Sequence, residues 1–138
     1  MRPATSVTEF EGLTCYGLLA QECYHRGELV EPANVVYLRL APARWLRFGI
    51  DAGAFFCRET ADAGEIPPDP AGEFRFPLVD LAARYPVEGR RVLAATLSEL
   101  PPDGGELALV LDDGAVLALV NEADASRVEH RPAAASTR

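Results

Sequence analysis

Six side chains in one stretch have the types and spacing for recognition chemistry: Tyr37, Arg39, Trp45, Arg47, Phe56 and Arg58. They lie in VVYLRLAPARWLRFGIDAGAFFCRE, residues 35–59, where they alternate with apolar positions. A guanidinium over an aromatic ring is attracted to the ring's electron-rich face by roughly 0.5–2 kcal/mol. Arginine and the large aromatics also dominate binding hot spots. On one sheet face, these residues suit an anionic or acidic partner. They equally suit a cross-strand ladder that stabilises the sheet. A third use is to dock the acidic segment 59–73, which carries Glu59, Asp62, Glu65, Asp69 and Glu73.

The other chemistry-bearing residues are weaker signals. Cys15, Cys23 and His25 lack the fourth ligand and the paired spacing of a closed zinc site. Cys23 or Cys57 with His25 makes a nucleophile and base only if the fold also supplies an oxyanion site, and no motif marks one. Asp112 and Asp113 precede Gly114 without calcium-loop spacing, so a hairpin turn accounts for them. Asp80 suits the first turn of a helix. No glycine-rich phosphate loop precedes a helix. No metal or cofactor is expected.

The elements that must position the six residues follow from periodicity. Val36, Leu38 and Leu40 alternate along one strand, and Leu46, Phe48 and Ile50 along the next. A three-residue loop at Ala41-Pro42-Ala43 pairs Leu40 with Arg44, Leu38 with Leu46 and Val36 with Phe48. That register collects the aliphatic residues on one face; a slip of one residue would scatter arginines over both. A turn at Ala52-Gly53 then sets Ile50 against Phe55, Phe48 against Cys57, Gly49 against Phe56 and Arg47 against Arg58.

Elsewhere, residues 13–23 read as a strand with a glycine-marked irregularity, with a helix as the alternative. Residues 25–34 read as a loop punctuated by Pro32 and Asn34. Segment 59–73 is a loop on its proline and glycine density. Phe74-Arg75-Phe76 is an edge strand stopped by Pro77. Residues 78–85 suit a two-turn helix stopped by Pro86. Residues 91–99 form a strand with Leu93, Ala95 and Leu97 on one face. In 106–121 an Asp113-Gly114 turn pairs Leu111 with Val116, Leu109 with Ala118 and Leu107 with Val120, leaving both faces apolar. Such a hairpin is either sandwiched or meets a partner.

The chain has 138 residues, 49% hydrophobic and 25% charged, which fits one domain. That domain is expected over 1–129, with 130–138 a disordered tail. The fold expected is mainly β: an antiparallel sandwich or strongly bent meander sheet of about seven to eight strands with one short helix. α+β with an N-terminal helix is the alternative. The net charge is −8, and all 13 basic residues are arginines. This acidity opposes nucleic-acid binding, which needs a basic footprint. No run approaches the ~18 apolar residues of a membrane span, and the N-terminus lacks the apolar core of a signal peptide, so a cytoplasmic location is expected. Three cysteines fit reduced thiols rather than a disulfide framework.

The function expected is a non-enzymatic interaction or regulatory module that binds a protein partner through the Arg/aromatic face. A homodimer is also expected as a partner state, through the apolar hairpin. The alternatives are a small anionic-ligand-binding domain and a small Cys/His-dependent enzyme.

Overall fold

A computed structural model of the chain describes residues 5–6, 8–41, 44–51, 54–60, 70–101, 104–122 and 125–133. Among them the chain forms eleven strands: β1 (Thr5–Ser6), β2 (Gly17–His25), β3 (Glu28–Ala41), β4 (Arg44–Asp51), β5 (Ala54–Thr60), β6 (Phe74–Arg75), β7 (Leu78–Asp80), β8 (Val92–Leu100), β9 (Gly104–Leu111), β10 (Val116–Glu122) and β11 (Ala125–Arg131). The only helical element among them is a 3-10 turn, Thr8–Phe10. Two antiparallel sheets result, ordered β1-β8-β9-β10-β11 and β5-β4-β3-β2-β6, with β7 also paired to β2. The fold is mainly β, with more strands than the turn signals suggest. The N-terminal helix is not formed; Gly17–His25 is a strand.

The two sheets share one core. Leu18, Ala20, Val36, Leu38, Leu46 and Phe48 pack from one side, and Ala95, Leu107, Leu109, Leu111, Leu117 and Leu119 from the other. Phe10 meets Phe48 edge-on, with ring centroids 5.5 Å apart. Each such side chain removed from water contributes roughly 1.5–3 kcal/mol. This alignment of apolar faces, rather than any strand propensity, holds the register.

Two corners join the sheets. At one, the segment before β2 borders the start of β8. Gly12 N–H donates to Val92 O, Val92 N–H to Leu13 O and Cys15 N–H to Arg90 O, each at 2.8 Å. Tyr16 N–H then donates to Arg39 O at 2.7 Å, carrying the chain into the other sheet. At the second corner the first half of β3 stays paired with β2 through two register shifts, between Gln21 and Cys23 and between Cys23 and Tyr24. There the Glu31 carboxylate accepts the backbone N–H of Ser126 in β11.

Residues 25–34 are therefore not a loop. Arg26 and Gly27 make the turn, both at positive φ, 51° and 82°. Pro32 and Asn34 sit in the bulged part of β3, where the ladder to β2 is already interrupted, so a missing N–H is tolerated. Residues 78–85 are not a helix either. Leu78, Val79 and Asp80 pair with Gln21, Ala20 and Leu19 of β2. Leu81 N–H continues onto Leu18 O at 2.9 Å. An eight-residue helix gains little on its own, while the edge of β2 offers ready hydrogen-bond partners. Asp80 is consequently a turn residue: its Oδ1 accepts Ala82 N–H at 3.0 Å.

The late hairpin differs from expectation by one residue. Val116 pairs with Val110, Leu117 with Leu109, Ala118 with Ala108 and Leu119 with Leu107. Residues 112–114 form the loop: Gly114 N–H donates to Leu111 O at 2.9 Å, Leu111 N–H to Ala115 O at 2.8 Å, and Gly114 has φ 87°. This is a turn followed by a left-handed bulge glycine, not a two-residue turn. All five hairpin leucines thereby share the core face. The outer face carries Ala108, Val110, Val116, Ala118 and Val120. Arg131 reaches across β10 to Glu106, 2.6 Å away, and Ala118 beneath is fully buried. In β8 a register shift between Val92 and Ala94 puts Val92 in the core and leaves Leu93 49% exposed. Ala95 stays in the core and Leu97 packs against it. His130 and Arg131, expected in a loose tail, are the last residues of β11. Residues 134–138, the turn residues 42–43 and 52–53, and 61–69 of the acidic segment lie outside the described residues.

Candidate functional site

The registers that build the Arg/aromatic face are those expected. Tyr37 pairs with Arg47, Arg39 with Trp45, Leu38 with Leu46 and Val36 with Phe48. Arg47 pairs with Arg58 and Gly49 with Phe56. The one departure is at the hairpin end, where Ala41 rather than Leu40 meets Arg44 across a bulge. Since directly opposed residues in an antiparallel ladder project to the same side, Tyr37, Arg39, Trp45, Arg47 and Arg58 share the face of this sheet that points away from the core. The side chain of Phe56 lies outside the described part of the structure, as does the covering of this face by residues 61–69.

Accessibility grades across the face. Tyr37 is 4% exposed. Arg39, Trp45 and Arg47 are half-buried, and Arg58 is exposed. The guanidinium carbon of Arg39 sits 5.8 Å from the Trp45 ring centroid, within cation–π range. Gly17, opposite Arg39 on β2, belongs to the same patch. A Cβ at Gly17 would lie 3.4 Å from Trp45 Cη2 and 3.6 Å from Arg39 Cβ, so the indole edge rests on nearly bare backbone. Gly17 was readable in the sequence only as an irregularity. Its signal as a seat for a ring is that glycine inside a strand marks a close approach. Tyr16, the preceding residue, is 43% exposed.

Cys15 and Cys23 are free thiols, and the side chain of Cys57 lies outside the described residues. Cys15 is 1% exposed, and its thiol donates to Gly17 O at 3.6 Å. Burial, with the nearby Glu88 adding to it, pushes the Cys15 thiol up from 9.0 to about 11. Burial and then Glu31 also raise the Cys23 thiol. Both cysteines are thereby held as thiols, whereas nucleophilic attack needs thiolate. The His25 ring lies against Phe74, centroids 4.7 Å apart. His130 stacks on Tyr85 at 5.7 Å and 11°. Its Nε2 is buried with no hydrogen-bond partner among the described residues. Among those residues no three His, Cys, Asp or Glu side chains converge as metal ligands would. Asp113 acts in the turn, where its Oδ1 accepts Ala115 N–H at 3.0 Å, and both Asp112 and Asp113 face Arg90, at 3.7 and 3.5 Å.

A small cavity of about 20 Å³ is lined by Ala33, Val36, Phe48, Gly49, Leu119, Val120, Ser126 and Arg127. Arg127 is already engaged, 2.6 Å from Glu129 and 3.4 Å from Glu122. No helix among the described residues is long and apolar enough to cross a membrane. Comparison with protein-family models, curated proteins and solved structures finds no match to this chain.

Proposed function

We propose that this protein is a non-enzymatic binding module whose Trp45–Arg39–Arg47–Arg58 corner engages an acidic segment of a partner protein. The reading is carried by the Arg39–Trp45 stack, at 5.8 Å, flanked by Arg47 and Arg58 in direct cross-strand register. Arg47 and Arg58 sit opposite one another on neighbouring strands, and a guanidinium can bond a partner's carboxylate in bidentate fashion. The Trp45 ring supplies a rigid apolar contact beside them, the combination found at hot spots. Tyr37, buried within the same row, serves as support. Burial raises the Cys15 and Cys23 thiols, which works against their use as nucleophiles in the enzymatic alternative. The anionic-ligand alternative would use the small cavity, whose cationic lining group among the described residues, Arg127, is held by two carboxylates.

Trp45 is the sole tryptophan, so its fluorescence reports on this corner. Titration with polyglutamate at low salt is expected to give a saturable change that weakens as salt is added. The Arg47→Ala/Arg58→Ala double variant is expected to bind about tenfold more weakly. Undiminished binding by a folded double variant, or no saturable change in the parent protein, removes the proposal.

A further inference from the structure

Resting on the acidic-partner reading above, we propose that the partner's segment docks as an added strand along the outer edge of β5, with its carboxylates beside Arg58. Edge strands carry unpaired N–H and C=O groups, and proteins usually shorten or blunt them. Most edges here are treated in that way. β1 and β6 have two residues each and β7 has three. On β11 the Ser126 N–H already donates to the Glu31 carboxylate. Its outward charges also hold one another, Glu129 lying 2.6 Å from Arg127 and 2.7 Å from Arg131. β5 is different. It runs for seven residues, stands at the end of its sheet and pairs with β4 alone among the described strands. Arg58, exposed on it, enters none of the ion pairs found among the described residues.

The ladder fixes which backbone groups of β5 point outward. A residue in an antiparallel sheet directs its N–H and C=O to one side, so one that is bonded to the strand on its left is non-bonded to the strand on its right. Leu18 O accepts Leu81 N–H on the far side of β2, so the next residue, Leu19, bonds Tyr37 of β3. Tyr37 and Arg47 are then a non-bonded pair, and Arg47 and Arg58 a bonded one. Asp51 and Ala54, which flank the two-residue loop of this hairpin, have the same phase. Phe55, Cys57 and Glu59 therefore turn their backbone groups away from β4. An antiparallel segment laid on that edge bonds to them. Its intervening residues fall opposite Arg58 and Thr60 in non-bonded pairs, where side chains approach most closely. These intervening side chains lie on the Arg58 side of the sheet, with Arg47 and Trp45 on the strand beyond. Acidic residues there are paired with a guanidinium across the ladder. Main-chain bonds thus hold the segment, and the arginines select one in which acidic residues alternate with β-branched ones.

The test titrates the full chain, followed by Trp45 fluorescence, with a peptide of about eight residues alternating glutamate and valine. Two derivatives are N-methylated, one on every valine and one on every glutamate. With the glutamates facing Arg58, the valine N–H groups donate to β5 and the glutamate N–H groups point to solvent. Methylating the valines is expected to weaken binding at least about tenfold, and methylating the glutamates by less than about twofold. Arg58→Ala is expected to weaken the unmethylated and the glutamate-methylated peptides alike. Equal effects of the two methylation patterns, with binding still dependent on Arg47 and Arg58, overturn the added strand and leave the acidic-partner reading standing. No binding of the unmethylated peptide, or binding indifferent to Arg47→Ala/Arg58→Ala, overturns both. Self-association in sedimentation that the peptide disperses overturns the added strand too, because the occupant of β5 would then be a second copy.

Discussion

Gly104 offers the sharpest test of how the second sheet is packed. It pairs with Leu100 at the β8–β9 turn and lies against β10. A Cβ added there would fall 2.2 Å from the carbonyl oxygen of Asn121 and 3.2 Å from both its carbonyl carbon and Leu100 O. A carbon–oxygen contact needs about 1 Å more than the shortest of these. The obstructing atoms are backbone, so no rotamer change relieves the clash. Moving Asn121 disturbs a residue that is 5% exposed and donates from Nδ2 to Ser126 Oγ at 2.9 Å. Overpacking costs about 1–3 kcal/mol, and a weakened partly buried hydrogen bond adds about 1. Gly104→Ala is therefore expected to destabilise by about 2–4 kcal/mol, read as a lower urea midpoint at unchanged slope, with a fall in Tm on the order of 10 °C. Gly17→Ala is the matched control. Its Cβ meets nothing closer than 3.4 Å, so it is expected to change stability by less than about 1 kcal/mol. Equal effects from the two substitutions would refute the packing described for β9 and β10.

Phe48→Ala, at the centre of the core and 1% exposed, is expected to cost about 3–5 kcal/mol in chemical denaturation. The Cys15 thiol, raised from 9.0 to about 11, keeps its proton in the folded state where the unfolded chain has lost it. Its contribution is thus complete below pH ~9 and disappears as pH rises towards ~11, a loss on the order of 2 kcal/mol. Cys15→Ala should flatten that part of the pH–stability curve. At pH 8, peptide mapping after iodoacetamide should show Cys15 unlabelled until denaturant is added. His130→Phe keeps a ring against Tyr85 and removes the buried Nε2, so thermal melts should show it stabilised by about 1 kcal/mol.

Where one face of a strand had to be apolar, the sequence was a sufficient guide. Val36, Leu38, Leu46 and Phe48 can share a face in only one register, and the arginines opposite them then follow. The same test, applied to the late hairpin, would have found its register. Leu107, Leu109, Leu111, Leu117 and Leu119 are all odd-numbered, and only a loop with an odd number of residues keeps them together. The Asp-Gly pair drew attention to a local turn preference, and the leucine face overrode it. The β2–β3 arm was obscured for a different reason. Pro32 and Asn34 break local alternation, and nothing local distinguishes a bulged strand from a loop. The three residues of β7 were obscured because their partner, β2, is some sixty positions away in sequence. The six-residue face was legible as a row. Its gradation from the buried Tyr37 to the exposed Arg58, and the seat that Gly17 gives Trp45, came only from the third strand alongside.

The corner between Glu31 and Ser126 has a consequence in time. These residues are 95 positions apart, and the opposite corner joins Thr14 to Arg91. Hairpins such as β9–β10 need only local closure and can form within microseconds. The corners must wait for chain ends to find each other against a large entropic cost, as in other folds of high contact order. Until they close, the two sheets expose the apolar faces that later meet in the core, and such exposed surface favours aggregation. The molecule is most vulnerable after its hairpins exist and before its corners do, an interval in which prompt docking of β11 decides between refolding and precipitation.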